Sequence, residues 1–80
     1  MKEETFEVKE SDITLEATVG IDDEDYGWFE VYDVNNGEEG YYAEGGLWFD
    51  DNVLVDYDGV YDLPPCVKNK LMEWGYEVDL

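Results

Sequence analysis

The 80-residue sequence predicts an α+β domain: a twisted antiparallel sheet of four to six strands with one short C-terminal α-helix packed on one face. Three observations lead there. Apolar and polar residues alternate over several stretches before residue 58, and clusters of Gly, Asn and Asp punctuate those stretches. After Leu63-Pro64-Pro65 the apolar spacing changes from two to four and three. A single domain over residues 1–80 is expected, with a thin core, because a chain this short buries only about 60–65% of its unfolded surface.

Ile13, Leu15, Ala17, Val19 and Ile21 alternate with Thr14, Glu16, Thr18 and Gly20, the period of a half-buried strand. Phe6 and Val8 alternate with Glu7 and Lys9, so residues 4–9 read as a preceding strand joined through Glu10-Ser11-Asp12. Asp22 to Asp25 are four adjacent carboxylates that repel one another and belong to a loop tip. Trp28 to Val34 is rich in aromatic and β-branched residues and reads as a third strand. Asn36-Gly37 then predicts a type I′ hairpin, whose two central residues need positive φ. The return strand runs from Glu39 towards Ala43, Gly45-Gly46 marks a bulge or bend, and Leu47-Trp48-Phe49 resumes extended structure. Asp50-Asp51-Asn52 is a second tight turn before a strand at Val53–Tyr57. Strict alternation there puts Val53, Val55 and Tyr57 on one face and Leu54, Asp56 and Asp58 on the other.

Pro64-Pro65 suits the first turn of a helix, where a missing N–H costs nothing. Val67, Leu71 and Trp74 form one apolar stripe, and Gly75 is a natural terminator. Tyr76, Val78 and Leu80 alternate again as one last short strand.

Charge sets the functional question. Twenty-three Asp and Glu stand against four Lys and no Arg, a net charge of -19, whereas small domains are comfortable at magnitudes of roughly 2–8. A disordered acidic tail is excluded by the 16% aromatic content, since such tails lack the apolar surface to fold. Residues 1–62 hold 20 acids and two Lys, a balance of -18; residues 63–80 hold three acids and two Lys, a balance of -1. The sheet therefore carries the field. The opening MKEETFEVKE lacks the apolar core of a signal peptide, no run is long enough to span a bilayer, and a lone Cys excludes an internal disulfide. A reduced, cytoplasmic setting is expected.

Catalytic groups are scarce, with no His, no Arg, one Ser, and a Cys66 that reads as a small buried hydrophobe. No catalytic residue, metal or cofactor is expected. Asp33-Val34-Asn35-Asn36-Gly37-Glu38-Glu39 begins like a calcium loop but has Glu38 where the loop requires Gly. Mimicry of nucleic acid accounts for more. Carboxylates at alternate strand positions lie about 6.7 Å apart, a charge density comparable to that of a short duplex. The candidate partner-binding acids are Asp22, Asp23, Glu24, Asp25, Glu38, Glu39, Glu44, Asp50, Asp51, Asp56 and Asp58, with Trp28 and Trp48 as aromatic anchors. Phe6 and Trp74 are read as core.

In size, acidity and sheet-plus-helix plan the whole chain resembles the small acidic inhibitors that phages and other mobile elements direct against host defence. That class comprises anti-CRISPR proteins, anti-restriction DNA mimics and the uracil-DNA glycosylase inhibitor. The segment Gly59-Val60-Tyr61-Asp62-Leu63-Pro64-Pro65-Cys66-Val67 looks similar to segments of small phage proteins. The resemblance carries over no residue-level role. It implies a non-enzymatic inhibitor acting in the host bacterial cytoplasm by occupying a nucleic-acid-binding surface. Monomer or homodimer is expected, since an exposed edge strand or the helix could pair two copies, with no direct nucleic-acid binding and no membrane association. Its partner would be a basic nucleic-acid-binding protein, first a CRISPR effector and next a restriction or repair enzyme. Two readings of other classes stand beside it: an acidic structural or adaptor domain, and a divalent-cation binding module.

Overall fold

The computed structural model describes residues 1–59 and 62–79, with Gly37 and Glu38 described by their backbone alone. Its elements are β1 (Lys2–Glu10), β2 (Ile13–Ile21), β3 (Tyr26–Asp33), β4 (Gly37–Asp50), β5 (Val53–Tyr57), α1 (Pro65–Glu73) and β6 (Glu77–Val78). They form one six-stranded sheet in sequence order and one helix, the α+β arrangement expected. The first five strands form an antiparallel meander, whereas β6 pairs parallel to β5. The helical crossover explains that difference, because it returns the chain to run in the direction of β5. Leu80 and the Val60-Tyr61 stretch lie outside the described residues.

Register brings the apolar positions of successive strands into rows. Phe6 faces Ala17, Ala17 faces Val31, and Val31 faces Ala43; the next row runs Val19 to Phe29. These side chains, with Leu15, Ile21, Leu47, Phe49 and Leu54, make one face of the sheet, covered by Leu63, Cys66, Val67 and Leu71. Phe6 and Trp74 are half-buried at the margin of this core.

The Val53–Tyr57 faces depart from strict alternation. A register shift between Trp48 and Phe49 sets Leu54 opposite Phe49 and Asp56 opposite Trp48, so Leu54 is buried in the core while Val55 is exposed. The bulge absorbs one residue and returns Tyr57 to the core side opposite Leu47. Gly45-Gly46, expected to bend the chain, instead lies within the continuous strand β4.

The turns also redistribute. Positive φ outside glycine occurs at Ser11, Asp25, Asp51 and Asn52, and not at Asn36. The paired positive φ of a type I′ hairpin therefore falls at Asp51-Asn52. The turn after β3 is organised by Asp33, which is only 3% exposed. Its Oδ1 accepts the backbone N–H of Asn35 at 2.9 Å and of Asn36 at 3.3 Å, and Oδ2 accepts Asn36 Nδ2 at 3.0 Å. A carboxylate has lone pairs enough for all three donors, and it outcompetes the local Asn-Gly preference.

The Asn36 amide, followed by the Asn35 N–H, holds the Asp33 carboxyl below its ordinary 3.8 against the opposing effect of burial. A depressed folded value means the stabilisation is fully present above the unfolded value and disappears as pH falls through the folded one. Asp33→Ala should therefore lower the denaturation midpoint at neutral pH, with the gap to wild type closing below about pH 4. Paired urea titrations at neutral and strongly acidic pH check this; a gap that is the same at both would contradict it.

Helix α1 follows the buried Pro64, with Pro65 in its first turn. It ends where Gly75, at φ 96°, donates to Met72 O and Tyr76 donates to Leu71 O, both at 3.0 Å. That double closure is the Schellman arrangement, which a glycine in the left-handed region permits. Lys70 ties the helix to the sheet edge. Its Nζ lies 2.7 Å from Glu4, 3.1 Å from Glu73 and 4.6 Å from the Phe6 ring centroid.

Candidate partner-binding face

The face opposite the helix carries the other phase of each strand's alternation. By register it holds Glu3, Glu7, Glu16, Glu30, Glu44 and Asp56, together with Tyr26, Trp28, Tyr32, Tyr42 and Trp48. Lys9 lies at its margin. Glu7 stands directly opposite Glu16, and Glu30 directly opposite Glu44. Like charges so placed destabilise a sheet by roughly 0.2–1 kcal/mol each.

Tyrosine hydroxyls offset this. Tyr32 donates to Glu16 Oε1 at 2.6 Å, while Tyr42 donates to Glu44 Oε2 at 2.8 Å and lies 3.3 Å from Glu30 Oε2. The single Tyr42 proton goes to Glu44, the nearer acceptor, and Glu30 stands beside the same hydroxyl at the longer distance. Thr5 and Thr18 share a hydrogen bond at 2.9 Å on the same face. Glu16 and Glu44 are held in place by phenol donors.

The bond to Glu44, then burial and the Glu44 charge, push the Tyr42 hydroxyl up to about 12. The bond to Glu16 raises Tyr32 in the same direction. A raised value means the neutral phenol is stabilised in the fold, a contribution present below pH 10 and lost through about 12. Alkaline titration of the tyrosinate absorbance should show a last step near that value which Tyr42→Phe removes. Persistence of the step in the variant would assign it elsewhere.

The two aromatic anchors lie on this face. Trp28 packs against Gly20, where an added Cβ would overlap the indole ring, so only glycine admits that close approach. Trp48 is exposed and meets Tyr26 edge-on, with centroids 5.4 Å apart and planes at 69°. An open groove of about 690 Å³ is lined by Thr18, Trp28, Glu30, Glu44, Asp58 and Gly59.

The candidate acids divide among three places. Glu44, Asp56 and Asp58 belong to this face or its groove, with Trp28 and Trp48. Asp22, Asp23, Glu24, Asp25, Asp50 and Asp51 gather at one end of the sheet, where Phe49 N donates to Asp25 O at 3.0 Å. Glu38 and Glu39 lie at the start of β4, beside the turn at the opposite end; the Glu38 side chain lies outside the described residues.

Two acids at the Asp22–Asp25 tip have local partners. Asp22 Oδ1 accepts the N–H groups of Glu24 and Tyr26 at 2.8 and 3.1 Å, and Asp23 accepts the Met1 amino group at 2.7 Å. Glu3, Glu7, Glu16, Glu30, Tyr32 and Tyr42 were not among the candidates. The readable signal was their placement in the polar phase of apolar strands.

Among the described residues no three carboxylates converge as they would around a metal ion. Burial, and then the Glu10 charge, push the Cys66 thiol up, opposite to the shift that activates a nucleophile. Among the described residues no helix is long and apolar enough to cross a membrane. No protein-family model matches the chain, and no curated protein or solved structure is significantly similar to it.

Proposed function

We propose that the protein is a non-catalytic inhibitor whose carboxylate face counterfeits a nucleic-acid backbone and occupies the basic groove of a host defence protein in the bacterial cytoplasm. A CRISPR effector is the first target class, and a restriction or DNA-repair enzyme the alternative. The observation that carries the reading is the ordered pairing of Glu7 with Glu16 and Glu30 with Glu44, with tyrosine hydroxyls fixing Glu16 and Glu44. A charged surface that serves solubility alone has no need of such order. The longest dimension, 36 Å, is close to one duplex turn of about 34 Å. Trp28 and Trp48 would anchor the contact, and the -19 charge would steer encounter with a basic groove.

The test is capture of the target followed by competition with its own DNA or RNA. Duplex and protein should displace each other, with affinity for the protein falling at least tenfold between about 0.1 and 0.5 M salt. A captured partner that binds nucleic acid equally well in the presence of excess protein would overturn the proposal.

A further inference from the structure

We propose that the free edge of β1 is a self-association surface, on which two copies of this chain pair antiparallel about a two-fold axis through Phe6. Strand β1 forms one edge of the sheet and runs for nine residues, all in regular register with β2. It contains no proline and no bulge, two devices by which edges are commonly blunted. The opposite edge, β6, has only two residues.

Charge selects both the occupant and the register. Of the 20 acids and two Lys in residues 1–62, both Lys lie on β1, near its two ends. A two-fold axis perpendicular to the sheet keeps each face with its like, so paired residues must share a parity. With the axis at Phe6, Lys2 of one copy faces Glu10 of the second, and Glu3 faces Lys9. Symmetry makes this four opposite-charge pairs, and all nine residues of the strand are used. The neighbouring face-preserving registers fail. An axis at Thr5 sets Glu3 against Glu7, and an axis at Glu7 sets Glu4 against Glu10 and Glu7 against itself.

Apolar cover agrees with the charge. Phe6 and Val8 are half-buried at this edge, beside a groove of about 220 Å³ that they line with Pro65, Cys66 and Lys70. In the Phe6-centred register the two Phe6 rings meet at the axis and close that margin. Whole-body repulsion between two chains of charge -19 is screened over about 8 Å at 0.15 M salt, whereas the Lys–Glu pairs are in contact. The product is one continuous sheet with both carboxylate faces on the same side. This inference does not depend on the inhibitor reading, and loss of target binding would leave it intact.

Sedimentation equilibrium of the full chain at about 0.15 M salt tests it. Wild type should pass from one-chain to two-chain mass with concentration. K9E and E3K should each raise the dimer dissociation constant about tenfold, because two symmetric pairs turn repulsive. The double variant E3K/K9E restores opposite charges and should recover wild-type association. Glu3 faces Gly20 and Lys9 faces Thr14 within the chain, so neither change disturbs an internal charge pair. Circular dichroism checks the fold, and K2E/E10K repeats the swap at the other pair. One-chain mass at every attainable concentration, a dimer indifferent to the single reversals, or a folded double variant that stays monomeric would each overturn the inference.

Discussion

Replacing Glu30 and Glu44 together by glutamine is expected to raise the stability of the fold while weakening target binding about 100-fold. The two side chains stand directly opposite one another, with only the Tyr42 hydroxyl between them. Glutamine keeps their size and an acceptor oxygen for Tyr42 but removes the repulsion. The gain in stability should be roughly 0.5 kcal/mol at low ionic strength and should shrink as salt screens the wild-type pair. Loss of binding follows from two missing charge contacts with a basic groove, each counted at about one tenfold step.

Asp50→Asn with Asp51→Asn is the matching control, since those acids lie at the sheet end, away from the Glu30–Glu44 pair. Thermal denaturation and salt-resolved titration of the captured target read both effects. Unchanged affinity in the face variant, with a large loss in the end variant, would move the contact to the Asp22–Asp25 and Asp50–Asp51 tip. Opposed shifts in stability and affinity would be hard to obtain from a surface whose charge serves solubility alone.

The strands were legible because their alternation is nearly unbroken: Ile13 to Ile21 alone defines β2, and Phe6 and Val8 define the inner phase of β1. The helix was legible for the same kind of reason, with prolines before it and Gly75 after it. What misled was local preference overruled by a longer-range partner. Asn36-Gly37 carries a strong turn signal, yet the buried Asp33 carboxylate sets that turn, and the type I′ geometry falls at Asp51-Asn52. Alternation in β5 failed because Val55 is an extra residue within it, opposite the Trp48–Phe49 step of β4, and changes the phase.

The candidate site was half legible for a related reason. Runs of adjacent acids such as Asp22–Asp25 and Asp50-Asp51 stand out in a linear sequence. Single acids in the polar phase of a strand do not. Glu16 and Glu30 gain their meaning only from Glu7, Glu44 and the tyrosines beside them, and those neighbours are assigned by strand register. Register depends on turn lengths and bulges, which composition does not reveal.

Leu71→Ala should have the largest effect on stability of any single truncation in the helix, about 2–5 kcal/mol. Leu71 is fully buried, and with Cys66 and Val67 it is one of three buried residues by which α1 docks. A nine-residue helix is not stable alone in water, and this one has no side-chain hydrogen bond at its N-cap. Its existence therefore depends on docking. Among the described residues the core cluster has only fourteen buried side chains, so a cavity at Leu71 removes a sizeable share of a small core. A domain of this size has a total stability near the low end of 5–15 kcal/mol, and the variant should be substantially unfolded by mild warming. Met72→Ala, one position along and 52% exposed, should change stability by less than about 0.5 kcal/mol. Urea denaturation followed by both circular dichroism and tryptophan fluorescence distinguishes the outcomes. The two signals should move together to a lower midpoint in Leu71→Ala, because helix and sheet share one core. A helical signal lost at lower urea while the sheet melts at the wild-type midpoint would show instead that β1 to β5 hold without the helix.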